Sequence, residues 1–301
     1  MKKMIFFILA VLIAGTQLLA QTDNINYSGS LLWKISGNNI KQPSYVFGTH
    51  HLYPISSLDC FVDVNRAFAL CEQMVGELIA TDMNRLAFEL QKMGMMPKDT
   101  TWKMLLSEED YRFVDKQLME LVGFGLNAFG MFKPALASLT YSGAFYKKLF
   151  PQMSSNEVID VWFQQQAVDK GIPVIGLETV QDQIAALFDV SSLQLQANNL
   201  VCMLRNIGWM KLNAEKMNHL YSIADLKGLY ENMFSGEDPC PYSSTEQIAL
   251  NKTRNERWLE KLPTIIAEKP SFIAVGAGHL FGEEGLLKGL EKIGFIVESF
   301  P

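Results

Sequence analysis

Three of the four histidines in this 301-residue chain fall in two stretches of the same form. Ser44-Tyr45-Val46-Phe47-Gly48-Thr49-His50-His51-Leu52 comes early, and Ser271-Phe272-Ile273-Ala274-Val275-Gly276-Ala277-Gly278-His279-Leu280 comes late. Each is an apolar, β-prone run that breaks into Gly-x-x-His-Leu. A strand ending in a tight glycine turn delivers the next side chain to the sheet edge, where open α/β sheets bind ligands. Two imidazoles presented this way can share one metal ion or one substrate.

Two charged residues join them by pattern. The run Met74-Val75-Gly76-Glu77-Leu78-Ile79-Ala80 reads as a strand whose alternation puts Val75, Glu77 and Ile79 on one face. A carboxylate among apolar neighbours needs a cation or a metal, unless the strand is an edge with Glu77 in solvent. On the helix expected near Gln247 to Ala267, Leu250, Trp258, Leu262 and Ile265 form a stripe that includes position 254. Arg254 is therefore aimed at the core, where it needs a carboxylate or a ligand anion, unless its long stem snorkels out. Glu178 ends the expected strand Val174 to Glu178, either as a sheet-edge site residue or as the cap of a helix starting near Val180.

His51, His279 and Glu77 are the ligand types of a catalytic divalent metal with an open position, with Mn, Co and Zn as candidate ions. Such an ion lowers the pKa of bound water and polarises a carbonyl. Arg254 would then stabilise an oxyanion or bind a substrate carboxylate. A metal-free variant uses one histidine as general base, oriented by Glu77. If the first strand runs on past Phe47, His50 and His51 point to opposite sides.

The elements that must position these groups follow. Two strands, Ser30 to Ile35 and Tyr45 to Phe47, precede a helix carrying Phe61, Val64 and Phe68. After the Glu77 strand, a methionine-rich helical stretch runs from about Met83 to Lys148, with Ser107-Glu108-Glu109-Asp110 as a helix start and Gly123-Phe124-Gly125 as a break. A helix from Val158 to Asp169, the Glu178 strand, two helices between Leu193 and Phe234, and the Arg254 helix complete the order. His219 lies on one of those helices and reads as packing. The fold class is α/β: a mixed central sheet flanked by helices, with a helical insertion after the first β-α-β unit.

With 49% apolar and 19% charged residues and no Pro, Ser or Gly linker, one domain is expected. A net charge of -6 without a basic stripe argues against a nucleic-acid partner. Lys2 and Lys3 before an apolar run ending near Ala20 read as a signal peptide over residues 1–20, with the domain spanning 21–301. The alternative is an uncleaved membrane anchor. No later stretch is long enough for a stable span, so the mature chain is expected to be periplasmic or secreted. Export makes Cys60, Cys71, Cys202 and Cys240 candidates for disulfides in any of three pairings, with Cys71 alternatively a buried thiol.

These residues together resemble the TraB/GumN family, which is related to the Tiki metalloproteases and more distantly to erythromycin esterases. The resemblance rests on Leu32-Trp33-Lys34-Ile35, Gly48-x-x-His51-Leu52, Glu77, Lys133-Pro134 and Asp160. It continues through Gly176-Leu177-Glu178-Thr179 with Gln183, Arg254-Asn255, and Val275-Gly276-x-Gly278-His279-Leu280 with Gly282 and Gly285. It implies an α/β fold and a site using both histidines, a glutamate and an arginine, here Glu77 and Arg254; Glu178 and Asn255 are the expected substrate-binding residues. His50, where the family has an apolar residue, and Gly76, where a bulkier one is usual, are departures. The expectation is an exported metal-dependent hydrolase, a peptidase by its resemblance. The alternatives are a non-catalytic protein capturing a peptide or glycan, and a metal-independent esterase-like hydrolase.

Overall fold

The structure is a computed structural model, describing residues 29–51, 53, 55, 61–79, 88–89, 92–151, 159–234, 238–241 and 243–300. The leader expected over residues 1–20, Leu52, Cys60 and the helix start near Met83 lie outside the described residues.

Strands β1 (Leu32–Gly37) and β2 (Ser44–Thr49) are joined by a turn in which Gly37, Asn38 and Asn39 all have positive φ. Helix α1 (Val62–Ala69) leads to the short strand β3 (Gln73–Gly76). Then come α2 (Trp102–Leu105), α3 (Glu108–Val122), α4 (Leu126–Phe129) and α5 (Pro134–Leu149). Helix α6 (Ile159–Asp169) precedes β4 (Val174–Gly176) and α7 (Val180–Phe188). Helices α8 (Leu193–Arg205), α9 (Ile207–Ser222) and α10 (Leu226–Phe234) follow, three where two were expected, with breaks at Asn206, the shared cap of α8 and α9, and at Ala224, whose φ of 54° is left-handed. A short α11 (Ser244–Gln247), a π turn (Ile248–Lys252) and α12 (Thr253–Glu268) run on without a break. Strand β5 (Ser271–Gly276), α13 (Leu286–Lys292) and β6 (Phe295–Ser299) end the chain.

The six strands form one mixed sheet in the order β4-β3-β5-β2-β1-β6. Strands β4, β3, β5 and β2 are mutually parallel, while β1 is antiparallel to both β2 and β6. The β2–α1–β3 crossover leaves a slot between its strands, and β5 fills it. Every residue of β2, β3 and β5 is buried, which explains why they read as unbroken apolar runs rather than alternating ones. Phe163 of α6 packs on Phe47, Phe68 and Phe272, so α1 and α6 cover one face of the sheet.

The insertion between β3 and α6 has its own core. Trp102, Val114, Leu118, Leu126 and Ala137 pack together with Leu200 and Leu204 of α8. Ser107 caps α3 through Asp110 N–H at 3.1 Å, and Gly123 ends it at φ 89°. The Gly123-Phe124-Gly125 break is thus a helix stop, where only glycine takes the left-handed conformation without strain.

Cys202 and Cys240 form a disulfide, and Cys71, just past α1, is a buried free thiol that donates to Ala67 O. Among the described residues, no helix is long and apolar enough to cross a membrane.

Candidate active site

Because β2, β3, β4 and β5 are parallel, their carboxyl ends share one edge, and each delivers one residue just beyond it. His51 lies two residues past β2, Glu77 one past β3, Glu178 two past β4 and His279 three past β5. Glu77 was expected inside its strand. Instead β3 stops at Gly76, and the carboxylate stands where the ladder ends. Parallel register brings the two Gly-x-x-His motifs side by side, with Thr49 opposite Gly276. A Cβ on Gly276 would lie 3.3 Å from Glu77 Oε1, 3.4 Å from His51 Nε2 and 3.7 Å from the His279 ring. The bare glycine is the floor of a small cradle that these three groups surround.

Each imidazole is held through its Nδ1. His51 Nδ1 lies 3.0 Å from Asp160 Oδ2, and Asp160 Oδ1 accepts from Thr49 Oγ1 at 2.5 Å. Asp160, in the first turn of α6, does the orienting that the residue pattern assigned to Glu77. The separation of 109 positions left no local signal for it beyond its place in the family pattern. His279 Nδ1 lies 2.8 Å from Asn255 Oδ1, and Asn255 Nδ2 donates to the carbonyls of His279 and Glu284. Asn255 is buried in these contacts. The His279 ring also packs on Trp258, centroid to centroid 4.5 Å.

Arg254 is directed inward, as its stripe predicted, and the π turn just ahead of α12 is part of how it is aimed. Its guanidinium spends every donor. Nε and Nη2 clamp Glu178 at 2.9 and 2.6 Å, and Nη2 also donates to Glu77 Oε2 at 2.6 Å. Nη1 donates to Leu250 O at 3.3 Å and to His279 Nε2 at 2.9 Å. The bond to His279 requires a lone pair on Nε2, which puts its proton on Nδ1, facing Asn255. Thr179 and Asp182 form the capping box of α7, so Glu178 does not cap that helix and pairs with Arg254 instead. Gln183, at 3.5 Å from Glu77 Oε2, is a further contact.

The electrostatics divide the two histidines. The Asp160 carboxylate raises the pKa of His51, whose side chain is 62% exposed. Burial pushes His279 down to about 3, keeping it neutral. Burial disfavours the Glu77 anion, but His51, His279, Arg254 and the Gly276 N–H, 2.8 Å from Oε1, outweigh it and hold the carboxyl at about 2. Burial raises Glu178 against the pull of Arg254. His50 faces the other way, among Tyr53, Tyr146 and Tyr221, and burial lowers it to about 4. It belongs to an aromatic cluster rather than to the cradle. His219 is exposed on α9, outside the site and not packed as expected.

Whether the group suits a divalent ion is a matter of donors and of spacing. The donor types fit: two imidazoles with Nδ1 fixed by an oxygen, Nε2 turned inward, and a carboxylate on the same cradle. With His51 neutral, as a ligand must be, the carboxylates of Glu77, Glu178 and Asp160 outnumber the Arg254 cation by two. The spacing is not that of a closed cage. Among the described residues no group of three His, Cys, Asp or Glu is arranged to hold a metal. His51 Nε2 is 4.0 Å from Glu77 Oε1, and Arg254 holds the His279 lone pair.

A mixed α/β sheet with paired histidines, a carboxylate and an arginine at its carboxyl edge defines the class. The chain matches the TraB/PrgY/gumN family over residues 31–299 and belongs to it. It is also similar to the protein named Metalloprotease TIKI2 from Danio rerio, 23% identical over 320 aligned residues. That alignment takes in 90% of this chain and 61% of the relative, so the chain spans about three fifths of that protein's length. No solved structure matches.

Proposed function

We propose that this protein is an exported metal-dependent hydrolase acting on peptide bonds. The observation that carries the reading is the convergence of His51, Glu77 and His279 on the Gly276 cradle, each from the carboxyl end of a different parallel strand. The similarity to a protein named as a metalloprotease supports the reaction class. The Cys202–Cys240 bridge supports an oxidising compartment, periplasmic or extracellular.

His51, His279 and Glu77 would hold the ion, which supplies a nucleophilic water and polarises the scissile carbonyl. Asp160 and Asn255 fix the imidazole tautomers and ring planes that such binding needs. If His279 Nε2 served as a ligand, Arg254 Nη1 would lose that acceptor and its N–H would be available to an oxyanion of the substrate. Glu178 keeps the guanidinium in place through that change by its two-point clamp. Glu178 and Asn255 thus serve as positioning residues beside the substrate.

The His51–Asp160 pair favours a second reading, a metal-independent hydrolase with His51 as the proton-transfer group. One experiment separates them. Metal content by mass spectrometry is measured alongside cleavage of a quenched-fluorescence peptide library by the wild type and His279→Ala. The metal reading expects about one ion per chain, loss of cleavage in chelator and return on adding Mn, Co or Zn. Cleavage that survives chelator selects the second reading, and peptide binding without cleavage by metal-loaded protein sinks both.

A further inference from the structure

A cavity of about 360 Å³ opens between α5, α7, α8–α9 and the π turn. It adjoins the site along two separate routes. On α7, Gln183 reaches Glu77, and Ala186 and Leu187, three and four residues further along the same helical face, line the cavity. At the π turn, Leu250 lines it while its carbonyl accepts from Arg254. The cavity wall therefore adjoins the site through Leu250, bonded to Arg254, and through the α7 face that carries Gln183.

Its lining has a definite chemistry. Phe145, Met203, Trp209 and Met210 give it an apolar, adaptable wall. Asn199, Asn206 and Asn213 recur every seven residues along α8 and α9, setting amides into that wall at regular intervals. Among its described lining residues there is no Lys or Arg; of its two carboxylates, Glu246 accepts from Ser243 and Asp238 from the Cys240 N–H. A phosphate or carboxylate finds no counter-charge there. A peptide segment, which needs a donor and an acceptor at each residue, meets the Asn199 amide, the Asn206 oxygen and the Asn213 Nδ2, since Asn206 Nδ2 bonds the Cys202 carbonyl and Asn213 Oδ1 accepts from Asn232.

We infer that this cavity is the specificity subsite of the enzyme, receiving an extended peptide segment by an uncharged apolar side chain next to the bond held at the cradle. The inference rests on the hydrolase reading above, and its test separates the two. Filling substitutions from two different walls, Ala186→Trp on α7 and Ser142→Phe on α5, are compared with the wild type, with melting temperature as the folding control. The probes are fluorescein-labelled decapeptides identical except for Leu, Met, Phe, Asp or Lys at one scanned position. Binding is read by anisotropy on the Glu77→Gln background and cleavage on the wild-type background. The Leu, Met and Phe peptides are expected to bind about tenfold more tightly than the Asp peptide, and each filling substitution to erase that difference through KM rather than kcat. A preference that survives both fillings, or displacement of the peptides by a dodecanoate chain at lower concentration, overturns the inference. Selective binding without cleavage overturns the hydrolase reading alone, and cleavage without selectivity overturns the subsite alone.

Discussion

The two Gly-x-x-His motifs have the same residue pattern, are carried by neighbouring parallel strands, and end in opposite environments. His51 is exposed, faces the Asp160 carboxylate and is biased toward its charged form. His279 is buried, faces the Asn255 amide and a tryptophan ring, and is kept neutral. The motif decides where each imidazole stands, while the Asp160 carboxylate raises the one and burial lowers the other. A facing carboxylate on one side, and burial beside a neutral amide on the other, sort one histidine toward proton transfer and the other toward lone-pair donation.

The largest effect is expected from the residue that serves the buried half. Arg254→Ala leaves Glu77 and Glu178 side by side without their cation, and should cost about 3–5 kcal/mol in denaturant unfolding as well as abolishing cleavage. Normal stability in that variant would mean the cluster is wetter than described. Filling the shared floor comes next. Gly276 has φ -52° and ψ 133°, which alanine adopts freely, so Gly276→Ala should fold normally. Its methyl would sit among the three site groups and lower kcat/KM by about 100-fold. Wild-type turnover in Gly276→Ala would show that the two histidines work apart.

Exchanging the partners tests the comparison itself. Asp160→Asn should lower the His51 pKa and weaken metal binding about 10–100-fold, while Asn255→Asp should raise the His279 pKa. NMR titration of the two rings reads both changes, and unchanged titrations would refute the assignment of charge to the partner. The smallest effect lies outside the site. His50 falls to about 4 in the fold from its usual 6.5, so the unfolded chain takes up its proton first. This contribution is full above about pH 6.5 and is lost as pH falls toward 4, with His279 adding to the loss in the same direction, whereas the raised His51 loses its own contribution as pH climbs from 6.5 toward 9. His50→Phe should flatten this acid slope in thermal melts between pH 6.5 and 4, and an unaltered slope would move the loss to other groups.

Much of this was legible in the residues, for reasons that differ along the chain. The histidine strands stood out because central parallel strands are apolar throughout and glycine breaks them sharply. Arg254 stood out because a helix stripe tolerates a cation only where something answers it. Glu77 was found but set mid-strand, because an apolar run does not tell where its hydrogen-bond ladder stops. The Asp160–His51 and Asn255–His279 pairs have no spacing signature, since each joins residues that only the tertiary fold brings together. The same holds for the Cys202–Cys240 pairing, and for the aromatic cluster around His50, whose tyrosines come from three distant segments.

The π turn at Ile248–Lys252 joins two stretches of helix whose angular phases need not otherwise agree. Behind it, Arg254 meets its carboxylates; within it, Leu250 fills the cavity wall and Asn251 Nδ2 donates to Gly278 O. Losing one residue here would rotate everything ahead of Arg254 by about 100° relative to it. The guanidinium would keep its place while the cavity wall swung away. The turn therefore works as a gear tooth: a substitution on either side of it leaves the phase intact, but a length change of one residue uncouples the two sides at a stroke.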